Sequence, residues 1–144
     1  MSTHLTPNVV HTATVFILHA PDGQYEIRAV LSWRRADPVA MTMKFIDQPG
    51  RPDWVFARSL LADGLTRWTG AGDIRFGPAF ATPEAPRYRT GIHLSSPSGT
   101  ADLTADTEAL AEFINASHLR VPEGYEFHGI DVESAVWALI GEAA

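Results

Sequence analysis

The sequence predicts an α+β domain with an antiparallel sheet, one inserted helix and two C-terminal helices. Up to about residue 105, apolar and polar residues alternate in short segments, which is the period of strands. Clusters of Gly, Pro, Asp and Ser separate these segments and indicate turns. Beyond them the apolar residues take the spacing of helices. Because strands come first and helices last, we expect the two to segregate around an antiparallel sheet.

The length of 144 residues predicts a single domain over residues 1–144. Residues 1–8 are polar and contain Pro7, so we expect a loose tail there. The chain has no cysteine, which excludes disulfides and cysteine-bound metals and fits a reducing compartment. The longest apolar run, Ala135–Ile140, is far shorter than the roughly 20 residues of a membrane span. The N-terminus has no basic region, so we do not expect a signal peptide.

The first half of the chain predicts three strands. Residues 12–19 (TATVFILH) are rich in β-branched and aromatic residues, which predicts a strand buried on both faces. Two segments of clean alternation follow, separated by a short polar loop at residues 35–38. They predict an antiparallel hairpin. Its apolar face would be formed by Ile27, Ala29, Leu31, Trp33, Val39, Met41, Met43 and Phe45.

The inserted helix is predicted over Trp54–Asp63. Asp53 is a favourable N-cap residue, and Gly64 suits the left-handed position that ends many helices. Four apolar residues would fall near one side of this helix and bury against the sheet: Val55, Phe56, Leu60 and Leu61.

The sheet is predicted to resume after this helix. Residues 70–77 (GAGDIRFG) indicate a short strand with Ile74 and Phe76 facing inward, and the prolines of residues 78–86 indicate a loop. Alternation then returns on both sides of a turn at residues 96–99. The inward residues of that hairpin would be Tyr88, Thr90, Ile92, Leu94, Ala101, Leu103 and Ala105.

Two helices are predicted in the last third. Asp106 is placed to cap a helix whose apolar face is formed by Ala109, Leu110, Phe113 and Ile114. Asp131 is placed to cap a last helix, which Gly141 would end. The apolar face of that helix would be formed by Val132, Ala135, Val136, Leu139 and Ile140.

The net charge of −6 is unevenly distributed. Residues 1–89 carry ten Arg and Lys against eight Asp and Glu, a balance of +2, whereas residues 90–144 carry one against nine, a balance of −8. Proteins that bind nucleic acid gain affinity by neutralising phosphates with a basic surface, so nucleic acid is disfavoured as a partner. The acidic part fits either a solvated helix face or a surface that steers a protein partner.

Motifs for catalysis, metal binding or cofactor binding are missing from the sequence. The six histidines show no metal-ligand spacing, and the serines at 95, 96 and 98 form no G-x-S-x-G motif. Residues 70–73 (GAGD) lack the further glycine and lysine of a phosphate-binding loop. We therefore predict no catalytic residues, no metal and no cofactor. An enzyme would have only scattered groups such as His93 and Ser95 to draw on.

Tryptophan and arginine are the residues that most often anchor protein interfaces, and they supply the candidate interface residues here. Trp54 opens the predicted helix, and Trp68 lies in a polar loop where it is either exposed or part of the core. Arg58 lies between two apolar pairs, so it either pairs with an acid such as Asp73 or faces a partner. Trp137 lies off the apolar stripe of the last helix and could cover a neighbouring subunit.

Four blocks of sequence carry a family resemblance. They are residues 54–65 (WVFARSLLADGL), 70–75 (GAGDIR), 94–101 (LSSPSGTA) and 121–126 (VPEGYE). Their order and spacing, from about residue 10 to about residue 140, are similar to those of the SsgA-like proteins of sporulating actinomycetes. The second block ends at Arg75, which joins the candidate interface residues.

The resemblance implies a cytoplasmic protein of sporulation-specific cell division, with no known catalytic activity and no established ligand residues. It implies a strongly curved sheet assembled as a homotrimer, with an outline similar to the Whirly-type and guide-RNA-binding proteins. The implied partners are further copies of the chain, an SsgA-type paralogue and the tubulin-like division GTPase FtsZ, which the SsgB branch recruits to future septa. The alternative function is binding of single-stranded nucleic acid, which would rest on that outline, the arginines before residue 90 and the aromatic strands.

Overall fold

A computed structural model describes residues 2–48, 50–79 and 88–127. In these ranges the chain forms one nine-stranded antiparallel sheet and two helices. The elements are β1 (Ser2–Leu5), β2 (Val9–Ala20), β3 (Gly23–Arg34), β4 (Asp37–Phe45), β5 (Trp54–Ala57), α1 (Arg58–Gly64), β6 (Thr69–Ala71), β7 (Ile74–Ala79), β8 (Arg89–Ser96), β9 (Gly99–Asp106) and α2 (Thr107–Arg120). The strand order is β5-β4-β3-β2-β9-β8-β7-β6, and β1 pairs with β2 outside this path.

The sheet is strongly curved. Phe56 lies on β5 at one end of the strand order, and Phe76 lies on β7 near the other end. In a flat sheet these strands would be about 29 Å apart, at about 4.8 Å per strand. Their ring centroids are instead 5.0 Å apart. The sheet therefore curls until its two ends meet, and the concave side becomes the core.

Alternation along the strands decides which side chains enter that core. Strands β2, β3, β4, β7, β8 and β9 each send alternate side chains to the concave side, as the period of two requires. The indole N–H of Trp33 is buried with them and donates a 3.0 Å hydrogen bond to the carbonyl of Pro38. The core strand residues include Val10, Phe16, Ala29, Leu31, Trp33, Met41, Met43, Ile74, Phe76, Ile92, Leu94, Leu103 and Ala105.

Helix α2 confirms the prediction for residues 106–120. The Asp106 carboxylate accepts a hydrogen bond from the Glu108 backbone N–H, as an N-cap should. The helix packs against β2 and β9. All four residues of its predicted apolar face are buried: Ala109, Leu110, Phe113 and Ile114.

The inserted helix is shorter than predicted, and Asp53 does not cap it. Residues Trp54–Ala57 form β5, which pairs with β4, and α1 begins only at Arg58 with Ala57 as its N-cap. Strand β4 is available to pair with residues 54–57, and the backbone hydrogen bonds between the two strands outweigh the local helical pattern. Gly64 is the last residue of α1 and has no positive φ. A Cβ at Gly64 would overlap Phe76, so this glycine serves close packing instead of a left-handed turn.

Two predictions for the N-terminal part are corrected. Residues Ser2–Leu5 pair with β2 as strand β1, in place of a loose tail within residues 1–8. Strand β2 is not buried on both faces, since Val15 is 43% exposed while Phe16 is 1% exposed. The outer face of β2 thus keeps apolar surface in contact with solvent.

The remaining hairpins follow the predicted alternation with small shifts, but Val39 and Tyr88, predicted to face inward, are 39% and 73% exposed. The β3–β4 pairing and the turn between Ser96 and Gly99 are confirmed. Residues 70–77 hold two strands, because Gly72, at φ +68°, turns the chain between β6 and β7. Pro78 lies within β7 and not in the predicted loop. The rest of that loop from residue 80 to 86, and the helix predicted after Asp131 with Trp137, lie outside the described residues.

Candidate interaction surface

Trp68 lies flat on the outer face of the sheet. Gly77 and Gly91 are register partners on β7 and β8, and their outward sides face the indole. A Cβ at Gly77 would overlap the indole atoms Cδ2, Cε2 and Cγ, and a Cβ at Gly91 would lie 3.0 Å from Cη2. Both glycines are buried, whereas Trp68 is 55% exposed. The indole therefore covers the glycines with one face and presents the rest of its surface to solvent.

Hydrogen bonds on both sides of Trp68 hold this part of the chain. The backbone N–H of Arg67 donates to the Asp63 carbonyl at 3.1 Å, and the Thr69 hydroxyl donates to the Leu60 carbonyl at 2.8 Å. Both acceptors belong to α1. The backbone that carries Trp68 is thereby tied to a helix, which restricts the conformations that the exposed indole can adopt before it meets a partner.

Arg75 lies beside Trp68 on the same outer face. It precedes Gly77 by two residues on β7, and its side chain crosses Gly70, where a Cβ would overlap Arg75 Cγ. Arg75 is exposed and makes no ion pair or hydrogen bond within the described ranges. We call Trp68, Arg75 and the three glycines beneath them the Trp68 surface.

The other basic side chains near the Trp68 surface already have partners. Arg67 pairs with Asp63 at 3.3 Å, and Arg89 donates to the Thr104 hydroxyl at 2.9 Å and to its carbonyl at 3.0 Å. His93, opposite Arg75 in the register, lies 2.6 Å from Asp102. Arg75 is therefore the cation of this region that is left for an external group, among the residues that the structure describes.

A second feature of the outer side is a groove of about 820 Å³ between β2 and the first turns of α2. Its apolar wall is formed by Ala13, Val15, Ile17 and Ile46, of which Val15 and Ile46 are 43% and 44% exposed. Its polar wall carries both signs of charge, from Arg28, Arg89, Asp106, Glu108 and Glu112. We call this feature the β2–α2 groove.

Arg58 is part of the core and not of the surface. It is 2% exposed, and its Cζ lies 5.6 Å from the centroid of the Trp33 ring. One guanidinium nitrogen donates to the buried Ser117 hydroxyl at 3.3 Å, and another donates to Glu126 at 3.0 Å. Of the two alternatives left open for Arg58, the structure shows the ion pair, but its acid is Glu126 and not Asp73.

Two pKa values are shifted around Arg58. The pKa of Glu126 is lowered, first by a hydrogen bond from its own backbone N–H and then by the Arg58 guanidinium. The pKa of His118 is lowered by burial and by the Arg58 charge, which outweigh the opposing effect of Glu123 and Glu126. Both shifts favour the charge states found at neutral pH, an ionised Glu126 and an uncharged His118.

Trp54 faces the concave side and lines a cavity of about 490 Å³. It is half-buried, and Leu18, Ile27 and Phe45 surround it. The serines of the β8–β9 turn lie at the edge of this cavity, where Ser96 and Ser98 hydrogen bond each other at 2.9 Å. Trp54 is thus placed as a core residue at one end of the curled sheet.

The four candidate interface residues that the structure describes do not form one site. Trp68 and Arg75 are neighbours on the outer face, whereas Arg58 and Trp54 face the interior. The packing of Trp68 on Gly77 and Gly91 was not predicted from the sequence, although the two glycines are visible in it. Glu126 was not predicted as the partner of Arg58 either. No group of three or more metal-ligating side chains, and no helix long and apolar enough to cross a membrane, occurs in the described part of the chain.

Comparison with known proteins places these features in context. Residues 27–126 match the model of a family described as Streptomyces sporulation and cell division protein, SsgA. The chain is 35% identical over 133 residues to the sporulation-specific cell division protein SsgB of Saccharopolyspora erythraea, covering 91% of this chain and 92% of that protein. It is 36% identical over 123 residues to SsgB of Streptomyces coelicolor, covering 85% of this chain and 88% of that one.

Solved structures show the same fold. One is an SsgA-like sporulation-specific cell division protein from Thermobifida fusca, with a TM-score of 0.78 and 30% identity, covering 94% of this chain and 98% of the other. Another comes from work on mutations in SsgB that correlate to longitudinal cell division during sporulation of Streptomyces coelicolor. It has a TM-score of 0.76 and 34% identity, covering 87% of this chain and 98% of the other.

Proposed function

Since this chain belongs to the SsgA family of sporulation and cell division proteins, we propose that it is a non-catalytic adaptor of sporulation-specific septation. In this role it recruits or positions the tubulin-like division GTPase FtsZ and septal cell-wall machinery. It acts from the cytoplasm at division septa and performs no bond-making step. An SsgA-type paralogue is a further partner of the same kind.

The observation that carries this proposal is the exposed aromatic and apolar surface on the outer side of the sheet. Trp68 is 55% exposed and packs on Gly77 and Gly91, and the β2–α2 groove adds two exposed aliphatic side chains. Preorganised aromatic and apolar side chains of this kind are typical of protein-binding surfaces. Two polar side chains near them, His93 and Arg89, are engaged in contacts within the fold.

Self-association into a homotrimer is part of the proposal, and the β2–α2 groove is the surface assigned to it. Burial of Val15 and Ile46 against a second copy would remove apolar surface from water. The groove also carries arginines and glutamates side by side, so a neighbouring copy can find charge complements there. A trimer would present three copies of the Trp68 surface, and this multivalency would strengthen binding to a filament of repeating subunits.

Light scattering of the purified chain, alone and with FtsZ, tests the proposal. We expect a mass of three times 15.7 kDa for the chain alone and a larger species when FtsZ is added. A Val15→Glu variant should lower the mass of the chain alone. A monomer at all concentrations would contradict the assembly, and failure to bind FtsZ at micromolar concentration would contradict direct recruitment.

A further inference from the structure

We propose that the Trp68 surface binds an extended acidic segment of a partner protein, stacking an aromatic or proline ring on Trp68 and placing a carboxylate on Arg75. This site deepens the proposed adaptor function and rests on it for the existence of a protein partner. It specifies which part of the molecule touches that partner and what chemistry the partner must present.

The apolar half of the site follows from the packing of Trp68 on Gly77 and Gly91. Gly77 and Gly91 hold one face of the indole, so a ligand does not have to order this side chain when it binds. The exposed part of the indole offers a flat apolar area to another ring. Aromatic-lined surfaces recognise proline-rich and aromatic segments in this way, and tryptophan is prominent among residues that dominate binding energy.

The charged half of the site follows from Arg75. It is exposed and has no partner in the described ranges, while Arg67 and Arg89 on either side of Trp68 are engaged. A guanidinium accommodates a carboxylate through two parallel hydrogen bonds. Because Arg75 and Gly77 are two residues apart on one strand, the two halves of the site are separated by about 7 Å. An extended peptide spans this distance with an acidic residue and a ring residue separated by one position.

A single nucleic-acid strand is the competing ligand class, because bases also stack on tryptophan. Its backbone needs several cations to bind well, whereas Arg75 is the one unengaged arginine of this face among the described residues. The chain as a whole carries a net charge of −6. These negative charges repel a chain of phosphates more strongly than a peptide that places a single carboxylate on Arg75.

The test uses the full ¹⁵N-labelled chain and three short capped peptides that contain Glu-Ser-Tyr, Lys-Ser-Tyr or Glu-Ser-Ala. The indole N–H resonance of Trp68, identified with Trp68→Phe, is followed during titration. We expect the Glu-Ser-Tyr peptide to shift this resonance and the amides of Gly77 and Gly91 saturably, with a Kd of about 1 mM. The other two peptides should bind more weakly. Equal shifts with all three peptides, or no saturable shift, would overturn the proposal.

Matched variants separate the two halves of the site. Arg75→Gln should weaken binding of Glu-Ser-Tyr about two- to fivefold, whereas Arg67→Gln, at an arginine already paired, should leave it unchanged. Trp68→Ala should weaken binding by about tenfold or more. Arg75→Gln does not touch the core, so it remains informative if Trp68→Ala fails to fold. An equal loss with Arg67→Gln would contradict the role of Arg75.

Two further measurements distinguish a wrong ligand class from a failure of this site or of the proposed adaptor function. Oligothymidylate is titrated at about 50 mM salt, and the same resonances are followed. If it binds more tightly than the peptide, nucleic acid replaces the peptide as the ligand. In a pull-down with FtsZ, binding that survives both Arg75→Gln and Trp68→Ala would leave the adaptor function standing and remove this site. Peptide binding without FtsZ binding would leave the site standing and remove FtsZ as its partner.

Discussion

Arg58 and Glu126 lie 68 residues apart in the chain and form an ion pair with an N···O distance of 3.0 Å. The guanidinium is buried under Trp33, while the Glu126 side chain keeps 20% of its surface exposed. This contact ties the segment after α2 to the first residue of α1. A buried arginine is tolerated only when its donors are satisfied, so the fold depends on the position of Glu126.

Glu126→Gln is expected to destabilise the protein by about 1–3 kcal/mol, because it leaves the buried Arg58 charge without its anion. Chemical denaturation with urea measures the change. Arg58→Met serves as the matched comparison, since it removes the charge and keeps apolar volume, and it should cost less than Glu126→Gln does. A Glu126→Gln protein as stable as the parent would show that the ion pair contributes nothing.

The Arg58–Glu126 pair also predicts how the free energy of unfolding decreases at acidic pH. The pKa of Glu126 is lower in the folded state, so its contribution is complete above the ordinary glutamate pKa of about 4.3 and is lost as pH falls through the folded value. Denaturation midpoints measured between neutral pH and pH 3 should therefore converge for the parent and Glu126→Gln at the acid end. A difference that stays constant over this range would contradict the assignment.

His118 predicts a separate change in the free energy of unfolding, closer to neutral pH. Its pKa is lowered in the folded state, first by burial and then by Arg58, so the unfolded chain binds the proton more readily. Stability is expected to fall as pH drops below about 6.5 and to level off once the folded protein is also protonated. Replacing His118 with Gln should remove this pH dependence and leave the pH dependence that Glu126 causes at lower pH. An unchanged slope between pH 7.5 and 5.5 would contradict the prediction.

Gly77→Ala is expected to displace Trp68 from its seat and to destabilise the protein by about 1–3 kcal/mol, because the new methyl group would occupy the space of the indole. Gly91→Ala should cost less, since its Cβ would lie 3.0 Å from the edge of the ring. Thermal unfolding provides the measurement. The loss from Gly77→Ala should shrink in a Trp68→Ala background, and an undiminished loss there would point to backbone strain instead.

Asp106→Ala is expected to destabilise α2 by about 1 kcal/mol, because it removes the acceptor of the Glu108 backbone N–H. Asp53→Ala is the matched control at an aspartate that precedes β5 and caps no helix, and it should be close to neutral. Urea denaturation of both variants checks the pair. Equal losses would mean that α1 depends on Asp53 after all.

Val15→Glu is expected to raise the concentration at which copies of the chain assemble by about tenfold or more, because it places a charge in the β2–α2 groove. Val55→Glu is the matched control, since Val55 is 65% exposed and lies outside the groove. Light scattering over a dilution series measures both. Assembly that is lost equally in the two variants, or kept in both, would assign the contact to another surface.

Features that depend on neighbours in the chain were predictable. The alternation of residues 27–45 predicted the hairpin of β3 and β4, and Asp106 predicted the start of α2, because strand period and capping are local. The resemblance of short blocks to one family was readable for the same reason, since each block is contiguous. The exposure of Trp68 and the burial of Arg58 were open between two alternatives, because both depend on what packs against them.

The amino-acid sequence by itself determined the antiparallel α+β class, the hairpins, the cap of α2 and the family. Only the tertiary structure decided that residues 54–57 form a strand, that Arg58 pairs with Glu126 and that Trp68 rests on Gly77 and Gly91. Each of these contacts joins residues from different elements once the sheet has curled. Their energies come from packing and hydrogen bonding between distant segments, which local propensity does not contain.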